Sequence, residues 1–320
     1  MKLDEATFRQ LVAEARLAPS VHNTQPTRWR LTPEGHVLVL EDPARRLAVG
    51  DPDGRDIGVS HGCAVEGFSL AASTAGLTTV VHPEAGAVAR LKFQNGGEPD
   101  ALAAFVSGRR TYRGRFRSTA DEEVLAGLAQ TDLTVTRDRG EIADLAALYD
   151  EASLRWFRNA PYRAELLSWM RLSSRHPDRL RDGLAADAME MSFVEAMGAG
   201  LVLRPGVFEA LDRVGLARPL VAEAPVVRTA PAIALFHRPV DEAPFETGRA
   251  FYRQWLAFTR AGLSGSPMSV LADDALASNM VSEQFAIPSR RRLVTAFRLG
   301  AAPARISGEP PRLPMDVLVV

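Results

Sequence analysis

Ser20, Asn23 and Gln25 sit in one short stretch, Ala18-Pro19-Ser20-Val21-His22-Asn23-Thr24-Gln25-Pro26. A hydroxyl and two carboxamides so close together offer hydrogen-bond donors and acceptors at once, which suits the edge of a flat heterocycle with alternating carbonyl and imide groups. Two prolines frame the set. Pro19 removes a backbone donor and disfavours helix before it, so it ends the amphipathic segment that precedes it. Pro26 biases Gln25 toward extended backbone, and the polar side chains are expected to be held between two stiff points.

A second group is cationic. Arg109-Arg110-Thr111-Tyr112-Arg113-Gly114-Arg115-Phe116-Arg117 is the densest basic run in the chain. Most such runs are solvated surface. Here, however, Arg109, Thr111 and Arg113 alternate, so an extended segment would turn all three to one side, as a clamp on an anion requires. Each charge-assisted hydrogen bond to a phosphate contributes roughly 1.5–3 kcal/mol.

Together these residues resemble the nitroreductase-fold flavoproteins. The A-P-S-x-x-N-x-Q-P loop after the first long helix is similar to that family's signature, and Arg109, Thr111 and Arg113 are similar to the R-x-S/T-x-R phosphate anchor that opens a nitroreductase half. The order and length resemble the Acg-like tandem branch, in which two halves are fused in one polypeptide. The resemblance implies an α+β, FMN-dependent nitroreductase fold, with two tandem halves forming an intramolecular pseudo-dimer. Residues 1–107 would be the first half, lacking the phosphate anchor. Residues 108–320 would be the second, with a lid-like excursion at about 171–227. In family dimers one subunit supplies the loop and the other the anchor. Each motif occurs once here, so one FMN per chain is implied, bound by Pro19, Ser20, Asn23 and Gln25 together with Arg109, Thr111 and Arg113.

Two further segments extend the resemblance. Gly262-Leu263-Ser264-Gly265-Ser266-Pro267-Met268-Ser269 aligns with the family's G-L-x-x-x-P loop, placing Pro267, Met268 and Ser269 near the flavin N5 edge. Arg312, between Pro311 and Leu313, resembles the basic residue that closes on the phosphate, without the second basic residue usual beside it. Thr27 stands where tryptophan normally follows Q-P, and Trp29 comes two residues later. The implied activity is hydride transfer from NAD(P)H through flavin N5 to a small acceptor such as a nitroaromatic, quinone or conjugated compound. No side chain is singled out as catalytic. The rival readings are an FMN-storage protein whose excursion covers the flavin, and a flavin-dependent oxidase or desaturase.

Other chemistries find little support. Gly58-Val59-Ser60-His61-Gly62 fits G-x-S-x-G, but a hydrolase elbow needs a buried strand before it, and a polar Gly/Pro-rich loop stands there instead. The histidines show no metal-ligand spacing. Cys63 is the single cysteine, so no intrachain disulfide is available. Lys2 and Lys92 are the only lysines, at a terminus and in a strand-like run, which sets Schiff-base catalysis aside. A formal net charge of −1 gives no general attraction to nucleic acid or anionic membrane. With no signal-peptide pattern and no run of roughly 20 apolar residues, the expected setting is cytoplasmic. The expected partner is a small-molecule substrate, and the chain is expected to be a monomer or a weak homodimer.

The elements that must position these groups follow from periodicity. Phe8, Leu11, Val12 and Ala15 mark one face of a helix capped by Asp4. Ile57 to Ala75 carries small and apolar residues three or four apart, a helix that another can approach closely. Phe251, Trp255 and Phe258 mark a second long helix. Each ends in Ala-Gly-Leu, at Gly76 and at Gly262, which is the one visible trace of a repeat. A helix is expected from Asp121, helices across 141–170 with a break at Pro161, and a strand over 316–320.

Overall fold

The computed structural model describes residues 2–116, 122–301 and 310–320. The first elements are α1 (Glu5–Ala15), β1 (Thr27–Leu31), β2 (Val37–Glu41), α2 (Arg55–Thr74), β3 (Leu77–His82) and β4 (Ala89–Asn95). Next come α3 (Glu122–Ala126), β5 (Leu133–Thr136), α4 (Arg139–Arg158), α5 (Ala160–Trp169), β6 (Met170–Arg171) and β7 (Leu184–Ala185). The short helices α6 (Phe193–Val202), α7 (Val207–Arg213), α8 (Ala217–Val221) and α9 (Ala224–Val227) lead to β8 (Ala232–Pro239) and α10 (Pro244–Arg260). The chain closes with β9 (Leu263–Pro267), α11 (Val270–Asp273), α12 (Ala275–Gln284), β10 (Arg291–Ala301) and α13 (Met315–Leu318).

Two four-stranded sheets result, β1-β2-β4-β3 and β5-β8-β10-β9, with antiparallel pairing throughout. In each, the second and third strands in sequence are joined by a long helix, α2 in one and α10 in the other. These two helices pack along each other because glycines line the crossing. A Cβ at Gly62 would stand 1.9 Å from the Phe245 carbonyl oxygen, and one at Gly248 2.1 Å from that of Val59. Both helices end at a left-handed glycine, Gly76 at φ +72° and Gly262 at φ +74°, as the repeated Ala-Gly-Leu predicts.

The aromatic face of α10 packs on the second sheet in one core, where Phe251 stacks on Phe297 at 5.3 Å and Trp255 meets it edge-on. Ala18, Cys63 and Leu70 from the first part of the chain share that core with Tyr252 and Phe258. Asp4 caps α1 by accepting the Thr7 N–H at 2.9 Å, and Phe8, Leu11, Val12 and Ala15 are buried against Trp29 and Phe68. The last residues return to this first core. Leu313 and Leu318 are buried within it, and the Val320 N–H donates to the Trp29 carbonyl.

Several expectations change. Residues 315–318 are helical, and of the expected terminal strand only Val319 bridges β1. Pro161 sits inside the first turn of α5, where its missing N–H costs nothing, and the break falls at Asn159, whose side chain caps the new helix. The expected helix start at Asp121 lies outside the described residues. Gly58 to Gly62 lies within α2, so no hydrolase elbow exists there. Residues 263–267 form an edge strand paired with β10, not a loop. Among the described residues no helix is long and apolar enough to cross a membrane, and no cluster of His, Cys, Asp or Glu could hold a metal.

Candidate anion and cofactor site

The loop between α1 and β1 is conformationally costly. His22, Asn23 and Gln25 have φ of 44°, 54° and 51°, and non-glycine residues persist there only when surroundings over-determine them. Gln25 is therefore left-handed, not extended as Pro26 alone would favour. Local bonds explain this. The Ser20 hydroxyl accepts the Gln25 N–H at 2.9 Å, and Ser60 on α2 accepts the Val21 N–H at 3.1 Å. Ser20 and Pro19 also line a cavity of about 30 Å³ with Thr27, Ser60 and Leu318.

Two distant segments complete the clamp. The Asn23 carboxamide donates to the Pro311 carbonyl at 3.1 Å and to that of Gly183 at 3.4 Å, and accepts from Arg312 Nη1 at 3.1 Å. Gln25 donates to the Arg181 carbonyl at 2.8 Å and accepts the Leu313 N–H at 2.8 Å. The excursion from Arg171 thus straps the loop at 181–183. Asp182 anchors the strap by accepting from buried Arg171 and from Arg45, which also donates to the Thr24 carbonyl.

Arg109 and Arg312 converge on the end of α1, where both donate to the Leu17 carbonyl, at 3.2 and 2.9 Å. The Arg109 guanidinium lies 4.6 Å from the centre of the Trp255 ring. The Tyr252 hydroxyl is beside it without closing a hydrogen bond. Among the described residues, Nε and Nη1 of Arg109, Nε of Arg312 and Nε of Arg16 are buried with no acceptor. Among the described residues none of Arg16, Arg109, Arg110 and Arg312 forms a salt bridge. Burial first, then repulsion from Arg109, pushes Arg312 down to about 9. Desolvating a cation costs several kcal/mol unless an anion answers it, so these donors are a candidate anion site.

The run after Arg109 leads away from that point. Thr111 bridges Gly265 in parallel, and the Tyr112 N–H donates to the same residue's carbonyl. Arg113 donates to the Ala188 carbonyl at 3.4 Å in the excursion. Burial, with the Arg113 charge second, holds His22 down to about 4, so the imidazole is neutral at pH 7. Arg298 braces the run by donating to the Gly114 and Tyr112 carbonyls.

Arg312 therefore bonds the Ser20-Asn23-Gln25 loop at Asn23, Arg109 meets it at the Leu17 carbonyl just before the loop, and Arg113 bonds the excursion at Ala188 with its charge near His22. Pro267 ends β9 opposite Phe297. Met268 is buried in the core around Ile233 and Leu271, its N–H donating to the Ala296 carbonyl, and Ser269 approaches Thr295. Neither Met268 nor Ser269 is hydrogen-bonded to the arginine cluster. Sequence reasoning missed Arg16 and the brace Arg298, and it expected 181–183 only as part of a lid-like excursion, without its bonds to Asn23 and Gln25. Only Arg298 carried a signal, a lone charge in the apolar run of β10.

These features define a mixed helix-and-sheet protein with an arginine-lined candidate anion site that, among the described residues, has no carboxylate paired to it. No family model matches the chain. It is 30% identical over 178 residues to two Mycobacterium tuberculosis proteins, "Putative NAD(P)H nitroreductase Rv3131" of strain H37Rv and "Putative NAD(P)H nitroreductase MT3217" of strain CDC 1551. The match covers 52% of this chain and 52% of each relative, so the chain spans about half the length of the curated relatives it matches. Solved structures similar to it include the FMN-dependent nitroreductase NfnB from Mycobacterium smegmatis in complex with NADPH, at 17% identity and a TM-score of 0.38 over 65% of this chain and 94% of that one. Iodotyrosine deiodinase bound to FMN and 3-iodo-L-tyrosine has 15% identity and the same score, over 65% and 94%.

Proposed function

We propose that the protein is an FMN-binding oxidoreductase of nitroreductase type, passing electrons from NAD(P)H to a small acceptor such as a nitroaromatic, quinone or conjugated compound. The observation that carries this is the set of buried, unanswered guanidinium donors around the Leu17 carbonyl. They fit the terminal phosphate of FMN, and the stretch to Arg113 fits the rest of an elongated ligand, since four residues span at most about 14 Å. The likeness to proteins named as NAD(P)H nitroreductases supports the same reading.

In this reading Arg109 and Arg312 hold the phosphate, with Arg16 and Arg110 adding positive potential. Thr111 and Arg113 continue along the ligand, and the Pro19–Gln25 loop meets the ring with its backbone shaped by Ser20, Asn23 and Gln25. Residues 267–269 end and follow β9, the strand that Thr111 bridges at Gly265. Bound FMN supplies hydride acceptance and donation at N5, which needs no acid or base from the protein. Residues 1–107 and 108–320 are the two tandem halves of an Acg-like pseudo-dimer, a reading supported by the identical strand order of the two sheets. Loop and anchor each occur once, so one FMN is held per chain.

A second reading has its own observation. The strap bonds to Asn23 and Gln25, and Arg113 bonds to Ala188, as a cover over a stored flavin would. Anaerobic stopped-flow mixing of flavin-loaded protein with NADPH or NADH separates them. Bleaching within seconds supports the oxidoreductase, and an unbleached flavin with both donors supports storage.

A further inference from the structure

Tyr252 is a tyrosine where packing alone calls for phenylalanine. It lies on the buried side of α10 with Phe251, Trp255 and Phe258, its side chain is fully buried, and its hydroxyl has no hydrogen-bond partner among the described residues. An unanswered buried hydroxyl destabilises a folded chain, and a phenyl ring would fill the same space without that cost. The hydroxyl is the part of the residue that the core does not explain.

Its place is beside the arginine cluster. Gly67 on α2 makes room for it: an added Cβ there would stand 3.3 Å from Tyr252 Cε1 and 3.4 Å from the Ala15 Cα, so the ring edge and the end of α1 share one gap. The Arg109 guanidinium lies 6.0 Å from the centre of the Tyr252 ring. Burial pushes the phenol up to about 12 against the pull of the Arg109 and Arg312 charges, so at neutral pH it is a donor and not a counter-ion. The Cys63 thiol, also near Arg109, is no counter-ion either. Burial pushes it up, and it donates to the Gly248 carbonyl at 3.2 Å.

The unanswered hydrogens can be counted. Arg109 has one on Nε and two on Nη1, Arg312 has one on Nε, and Tyr252 has one on its hydroxyl, all on buried atoms without an acceptor among the described residues. A carboxylate offers two oxygens with about four acceptor sites, which leaves part of this set unmet. A phosphate monoester offers three terminal oxygens and close to two negative charges at pH 7. A phosphodiester has only two free oxygens and needs room for its chain to continue, whereas Ala18, Cys63, Leu70 and Leu256 share the core that holds Tyr252. We infer that the Tyr252 hydroxyl is a ligand of the bound anion, and that with Arg109 and Arg312 it selects a terminal, doubly charged phosphate over a carboxylate or a phosphodiester. For the rest of the ligand this rests on the FMN reading, within which it specifies FMN over FAD.

Titration of flavin-stripped protein with FMN, FAD and riboflavin tests the assignment in the wild type and in Tyr252→Phe, with a thermal melt to report folding. The wild type should bind FMN at least about tenfold more tightly than either other flavin. Tyr252→Phe should melt no lower than the wild type when flavin-free, because the hydroxyl it lacks had no partner. It should bind FMN roughly tenfold more weakly, as the loss of one hydrogen bond to a charged group requires, and bind riboflavin as before. Should Tyr252→Phe not fold, competition on the wild type decides, with inorganic phosphate displacing FMN and acetate at the same concentration leaving it bound. Unchanged FMN affinity in folded Tyr252→Phe, a loss shared equally by riboflavin, FAD bound as tightly as FMN, or acetate competing as well as phosphate overturns the proposal. A wild type that takes up no flavin but binds inorganic phosphate, more weakly in Tyr252→Phe, supports the hydroxyl and overturns the FMN reading. One that binds neither overturns both.

Discussion

Two regions of this molecule concentrate charge of one sign, and they resolve the excess in opposite ways. At the foot of α2, Asp51, Asp56 and Asp273 surround Arg55, which pairs with Asp273 and with Asp56 at 3.4 Å, while Arg292 adds a second positive charge near Asp56. Burial and the Asp56 charge push Asp273 up to about 8, so the cluster sheds charge by keeping a proton. Around Leu17 the excess is guanidinium, and even Arg312, brought down to about 9, stays charged at neutral pH. A carboxylate cluster can neutralise itself, whereas an arginine cluster has to be answered by an anion from outside. The first region thus reads as structural, and the second is the candidate binding site.

The largest effect should come from Arg55→Met, which removes the cation that pairs with both Asp56 and Asp273. Breaking such a partly buried pair costs about 3–5 kcal/mol, read as lost stability in urea at pH 8, with a smaller loss at pH 5 where Asp273 is protonated. Arg312→Met should do the reverse. It leaves the stability of flavin-free protein unchanged or improved, because an unanswered buried charge is gone, yet weakens FMN binding by about 1.5–3 kcal/mol, or roughly 10- to 150-fold. If Arg312→Met destabilised the protein and left FMN binding intact, the contrast between the regions would fail.

How much of this could be read beforehand depended on where the determinants lie. Pro19, Gly76 and Gly262 act through their own backbone, so the helix ends were legible, whereas the extended Gln25 expected from Pro26 was overturned. The faces of α1 and α10 were legible because apolar spacing of three and four survives any tertiary context. β9 was not, since Leu-Ser-Gly-Ser-Pro has poor strand propensity and is extended only because β10 lies beside it. The positive φ of Gln25 depends on Ser20 and on Leu313, 288 positions away. Arg109 and Arg312 could be picked as anion ligands by type, but their meeting at one carbonyl is a tertiary fact.

The smallest effects are pH dependences, and the two regions give opposite slopes. Folded Asp273 holds its proton to about 8 while the unfolded group releases it near 3.8. The folded chain binds more protons between those values, so its stability is full at low pH and falls as pH rises through the window. His22 is neutral down to about 4 when folded and charges near 6.5 when unfolded, so its contribution is full above 6.5 and falls as pH drops toward 4. Denaturation from pH 4 to 9 should show Asp273→Asn flattening the alkaline slope and His22→Gln the acidic one. A single substitution flattening both would mean that the regions are coupled.

Comparing FMN with riboflavin on flavin-stripped protein tests the central claim most directly, because the two ligands differ only in the phosphate. Wild-type protein should bind one FMN per chain and prefer it to riboflavin by at least about tenfold, as one or more charge-assisted hydrogen bonds require. Arg109→Met should erase most of that preference while its riboflavin affinity stays put. Equal affinity of the wild type for both ligands would contradict the assignment of the arginine cluster to a phosphate.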